Sequence, residues 1–64
     1  MDWIGFLKVM IIEEKAAEQK YQVAMEMAQD PQVRAAMEKL RDEETFHVSF
    51  LENEVSRLEK GLSR

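Results

Sequence analysis

Cysteine is missing from this 64-residue chain. Its absence excludes disulfides and every thiolate metal site, two usual supports for a domain too short to bury much of its surface. Oligomerisation and a site built from carboxylate and imidazole remain. No apolar run approaches the ~20 residues that a bilayer span needs. The apolar opening, Met1 to Ile12, has no basic flank before it and no small-residue cleavage site after it, so it is a poor signal peptide. A cytoplasmic location is the default expectation, with membrane association a minor one. There is no basic excess either: nine Lys and Arg are interleaved among thirteen Asp and Glu, for a net charge of -4. That argues against a nucleic-acid partner. β-branched clusters and period-two alternation long enough for a strand are also absent. With 45% hydrophobic and 34% charged residues, the composition is neither that of a disordered chain nor that of a membrane span.

The chain has one proline and two glycines, and they mark where helices begin and end. Asp30-Pro31 pairs a preferred N-cap with the residue favoured at the first helical position. Gly61 suits the position just past a helix end, with Arg57 and Lys60 in the last turn. The reading is a single all-α domain over 1–64, with a first helix over about 4–28, a turn at 29–30 and a second helix over about 31–60. The first helix starts between Asp2 and Phe6. Two helices joined by so short a turn form an antiparallel hairpin.

Heptad spacing assigns the core faces. In the first helix Leu7, Glu14, Tyr21 and Ala28 share one row, and Trp3, Met10, Ala17 and Ala24 the adjacent one. In the second helix the rows are Val33, Leu40, His47 and Met37, Glu44, Leu51, Leu58. Val55 fits this face better than Glu54 once the 3.6-residue period drifts from a strict 3.5 repeat. Glu14, Glu44 and His47 interrupt these apolar rows, and the Tyr21 hydroxyl also needs a partner.

Glu14 lies about 15 residues before the turn and Glu44 about 14 after it, roughly 22 Å along each helix at ~1.5 Å per residue. The three polar residues are therefore expected at one level, with Leu7 opposite Leu51 and Tyr21 near Met37. Glu44-Thr45-Phe46-His47 is an E-x-x-H sequence, which puts a carboxylate and an imidazole on one helix face. Glu14 adds a carboxylate from the facing helix. One hairpin gives three ligands and leaves half a core open. Two hairpins about a two-fold axis close the core and give four Glu and two His, the ligand set of two-metal carboxylate sites in helix bundles. Such a set suits Fe or Mn. Zn also binds carboxylate and imidazole, but without redox chemistry. E-x-x-H alone is a weak signal in an acidic helix. The bland alternatives are a core histidine bonded to one carboxylate, and two ordinary surface glutamates.

The stretch from Leu7 to Leu58, about four-fifths of the chain, resembles a rubrerythrin-type ferritin-like half-repeat. The shared pattern is Glu14, Tyr21 seven residues later, Asp30-Pro31, then Glu43-Glu44-Thr45-Phe46-His47 with Leu51 one turn on. The segment Asp42-Glu43-Glu44, His47 and Leu51-Glu52 is also similar to the encapsulated ferritin-like proteins, single hairpins that build a di-iron site across a dimer. The resemblance implies a homodimeric ferritin-like four-helix bundle with two iron ions per dimer, held by Glu14, Glu44 and His47 of each copy. It implies that Tyr21 hydrogen-bonds a ligand carboxylate and orients it. It also implies oxidation of Fe(II) by O2 or hydrogen peroxide, or reduction of peroxide. The chain departs from full rubrerythrins in lacking a second half-repeat and a four-cysteine iron domain. Its tail, Glu59 to Arg64, is short for a shell-targeting extension.

Other residues have simpler readings. Glu13 and Glu18 flank Glu14; in the encapsulated family such acids lie where metal enters, but a solvated face with Glu18 paired to Lys15 or Lys20 explains them more simply. Glu43 reads as a surface acid, and Glu54 as a weaker candidate for an inward carboxylate. Phe46 and Phe50 lie beside the ligand face and would pack against a partner hairpin. Met25, Met27 and Met37 read as core filler. Trp3, Ile4, Phe6 and Leu7 form an apolar end suited to a dimer core or a higher-order contact. Two rivals use the same residues: a metal-binding or storage module without turnover, and a structural hairpin that only oligomerises.

Overall fold

A computed structural model describes residues 1–62. Helix α1 spans Trp3–Met27 and helix α2 spans Pro31–Leu62. They pack against each other along their length as an antiparallel hairpin, and the molecule measures 52 × 14 × 14 Å.

The helix starts follow from local chemistry. The Asp2 side chain accepts a hydrogen bond from the Gly5 backbone N–H at 2.9 Å, capping α1 so that it starts at Trp3, inside the expected window between Asp2 and Phe6. Gly5 makes room for this cap, because a Cβ there would collide with the Asp2 carboxylate. Asp30 caps α2 as anticipated, accepting from the Gln32 N–H at 2.9 Å. Helix α1 ends without glycine. Ala28 turns extended (φ -71°, ψ 127°), and the Arg34 guanidinium donates back to the Met25 carbonyl at 3.3 Å. Gly61 does not end α2, which continues to Leu62. No residue in the described chain has positive φ, so Gly61 keeps helical geometry and no left-handed cap forms.

The core is thin. Among the described residues only Val48, Leu51 and Val55 are buried, all on α2. Leu7, Ala17, Ala24, Leu40 and Leu58 are half-buried in the seam. Three expected core residues are not in it: Trp3 is 56%, Met27 75% and Val33 46% exposed. Val48, which the heptad rows passed over, takes a central place. Placing His47 on a core row tilted the assumed face of α2 by only about 20°, enough to leave out Val48 on its other flank while Glu44, Leu51 and Leu58 stayed in it. The true seam, Glu44, Val48, Leu51, Val55 and Leu58, keeps strict four- and three-residue steps.

The vertical register also differs from the level-distance expectation. Lys8 reaches Glu59 at 3.5 Å and Lys15 reaches Glu52 at 3.4 Å. Arg41 donates to the Gln22 side-chain amide oxygen at 2.7 Å. Leu7 is therefore nearer the level of Leu58 than of Leu51, and Tyr21 nearer Leu40 than Met37. Each Cα–Cβ bond leans toward its own helix N-terminus. In an antiparallel pair the two leans run in opposite directions, so facing residues on α2 lie further from the turn than counting suggests.

A compact protein of 7.5 kDa exposes about 4,250 Å² and has a radius of gyration near ~11 Å. This hairpin exposes 5054 Å² and has a radius of 15.0 Å. The excess is apolar in part: Val9, Ile12, Val23, Phe46 and Phe50 are each more than half exposed. No helix among the described residues is long and apolar enough to cross a membrane.

Candidate metal centre

Glu14 comes from the middle of α1, and Glu44 and His47 from one face of α2. Their ligand atoms all lie within 4.8 Å of one another. His47 Nδ1 is 3.6 Å from Glu44 Oε2 and 4.0 Å from Glu14 Oε2. Ligands arranged tetrahedrally at about 2.1 Å from one ion are roughly 3.4 Å apart, so small side-chain rotations bring these atoms to bonding positions. The three groups expected at one level do meet.

They are not equally buried. The Glu44 side chain is 17% exposed, Glu14 28% and His47 51%. Glu44 Oε2 is inaccessible to water and accepts no hydrogen bond. A buried carboxylate oxygen without a donor costs free energy unless a cation or another partner supplies it. The donor set, two hard carboxylates and one imidazole, suits Fe, Mn or Zn. His47 forms the exposed lip of the group, so a single hairpin leaves the centre covered on one side only.

The neighbouring polar groups hold the two helices in place. Thr45, next to Glu44, has its one hydroxyl hydrogen shared between the Glu18 carboxylate and the Arg41 carbonyl, at 3.1 Å for the latter. Glu18 therefore pairs across the hairpin, not with Lys15 or Lys20. Lys15 goes to Glu52, and the Lys20 ammonium lies over the Tyr21 ring at 5.1 Å. Tyr21 is half-buried two turns after Glu14. Glu54, weighed as an inward carboxylate, is held by Arg57 at 2.8 Å. That hydrogen bond, aided by the guanidinium charge, keeps its carboxyl below the ordinary range and raises Arg57 in turn. Among the described residues, Glu13, Glu18, Glu43 and Glu54 lie outside the three-residue group.

Sequence reasoning missed the contact between Thr45 and Glu18. Its signal was present: Thr45 is the small polar residue beside Glu44, and Glu18 lies one turn from Glu14. No family model matches the chain, and no curated protein or solved structure gives a significant match. The resemblance to rubrerythrin-type proteins therefore rests on the residues alone.

Proposed function

We propose that this hairpin is half of a metal-binding four-helix bundle, in which two copies together hold two iron ions through Glu14, Glu44 and His47 of each. The observation that carries the reading is the buried, donor-less Glu44 Oε2 within reach of Glu14 and His47. Bound iron would supply the one-electron chemistry that oxidises Fe(II) with O2 or hydrogen peroxide. The chain's own residues do the placing. The i, i+3 spacing of Glu44 and His47 aims both side chains at one point, and the Thr45–Glu18 contact holds α1 and α2 in the register that brings Glu14 there. Carboxylate ligands compensate cationic charge in either iron oxidation state. In this reading Tyr21 turns its hydroxyl to a ligand carboxylate once the bundle closes. Mn or Zn fits the same donors.

Metal analysis after anaerobic loading with Fe(II) tests the stoichiometry, with one ion per chain and two per dimer expected. Air should then produce a ferric absorption band that Glu44→Ala and His47→Ala abolish. Variants that bind iron as the parent does overturn the assignment. A ferritin-like storage role without turnover would bind the same iron but oxidise Fe(II) no faster than buffer. A second reading, a purely structural oligomerisation hairpin, is favoured by the apolar surface outside the site. It predicts no metal and no change in melting on chelation.

A further inference from the structure

A third carboxylate lies close to the metal group. Glu18 follows Glu14 by four residues, one turn, so the two side chains share a face of α1. Side chains lean toward their helix N-terminus, which inclines Glu18 toward the level of Glu14. Glu18 is half-buried, as Glu14 and Glu44 are, whereas Glu13, the acid on the other side of Glu14, is exposed. Glu18 also reaches α2 beside the group. Its carboxylate meets the hydroxyl of Thr45, the residue next to Glu44.

Among the described residues, none of the three carboxylates is paired with a lysine or arginine. The neighbouring cations are turned elsewhere. Lys15 goes to Glu52, Lys20 lies over the Tyr21 ring, and Arg41 donates to Gln22 and Asp42. Glu18 has instead a share in one hydroxyl hydrogen, and the Arg41 carbonyl holds the other share at 3.1 Å. That second acceptor makes Glu18 releasable. With Glu18 turned away, the Thr45 hydroxyl is still satisfied by the carbonyl four residues back, a familiar bond for a helical threonine. Release therefore costs less than a full hydrogen bond and leaves no donor unpaired. Register does not hang on that contact alone, since Lys15–Glu52 and Arg41–Gln22 tie the helices on either side of it.

We infer that Glu18 is a fourth ligand of the same centre. Thr45 holds its carboxylate ready, and the carboxylate turns to the ion that Glu14, Glu44 and His47 bind. The Thr45 hydroxyl then passes wholly to the Arg41 carbonyl. The inference rests on the metal reading above and adds one residue to it. Three groups leave even a four-coordinate ion one position short, and Glu18 is the half-buried acid one turn away that can fill it. Charge points the same way. Glu14 and Glu44 balance a divalent ion, and Glu18 supplies the third negative charge that a trivalent ion needs. Glu18 therefore favours retention of the ion once it is oxidised. Thr45 is a positioning residue, acting only through Glu18.

The test is calorimetric titration of the full chain with Co(II), joined to the visible absorption of the bound ion, which reports its ligand set. Glu18→Gln should weaken Co(II) binding at least about tenfold, the smallest loss expected of a group acting on a metal site. It should keep the stoichiometry and alter the Co(II) bands. Thr45→Val, which removes the competing donor, should tighten binding about threefold and keep the parent's bands. The double variant should be as weak as Glu18→Gln alone, because Thr45 acts only through Glu18. Glu13→Gln removes the same charge from an exposed position and should leave Kd and bands as in the parent. Helicity serves as the control for folding. A purely structural tie predicts otherwise: Thr45→Val would weaken binding as much as Glu18→Gln does, since both break one contact. That result, or an equal loss in Glu13→Gln, overturns the inference. If Glu44→Ala abolishes Co(II) binding while Glu18→Gln matches the parent, the fourth ligand falls and the metal reading stands. A parent that binds no Co(II) overturns both.

Discussion

Glu44→Met separates what the site costs from what it does. In the metal-free hairpin, Glu44 Oε2 is buried and accepts no hydrogen bond, and Val48 and Leu51 lie one and two turns further along the same seam. An unsatisfied buried polar group costs about 1–3 kcal/mol, and an apolar side chain of similar length removes that cost. For a domain of this size each kcal/mol moves Tm by roughly 4–8 °C, so Glu44→Met should melt about 5–20 °C above the parent in chelator. Metal should reverse the order of benefit. At 100-fold excess over Kd, an ion that binds only the folded dimer stabilises the parent by ~2.7 kcal/mol, and the variant should gain nothing. The assay is thermal denaturation followed by circular dichroism at one fixed protein concentration, with chelator and then with Fe(II) under anaerobic conditions. A variant that melts at or below the parent in chelator refutes the reasoning, because the carboxylate must then have a partner worth more than its desolvation. A variant that still gains stability from Fe(II) refutes the ligand assignment.

Four further outcomes follow from the same structure. Leu51→Ala empties one of the three buried positions among the described residues and should cost ~2–5 kcal/mol, enough to leave much of the chain unfolded by circular dichroism. The two glycines should behave oppositely: Gly5→Ala should lower Tm because its Cβ strikes the Asp2 cap, whereas Gly61→Ala, with open space around it, should raise Tm slightly by removing a glycine from the last helical turn, worth less than the ~1 kcal/mol of an interior position. Asp30→Ala should cost about 1 kcal/mol through loss of the cap on Gln32, read from urea midpoints. The Arg57 hydrogen bond lowers the Glu54 carboxyl pKa, so stability from this pair is present above the unfolded pKa and lost as pH falls through the folded one. Glu54→Gln should flatten that acid-side loss in a series of melts across pH, and an unchanged acid limb would show that the pair contributes nothing.

The two helices, their break and the identity of the three polar residues were legible in the residues alone. Asp30-Pro31 needs no tertiary context to cap one helix and end another, and Glu14, Glu44 and His47 stand out because a 3.6-residue period leaves them among apolar neighbours. Tertiary structure decided the phase and the height. Counting from the turn could not register the opposite lean of side chains on antiparallel helices, so Leu7 and Tyr21 were paired one step short. Treating His47 as core displaced Val48, because periodicity fixes a stripe only relative to a chosen frame. Packing against α1 chose the frame in which Val48 is buried and His47 stands at the lip. The same packing divided the hairpin into a side tied by Lys–Glu and Arg–Gln contacts and a side left apolar. Helix pairing decides which residues face away from both helices, and no single helix carries that information alone.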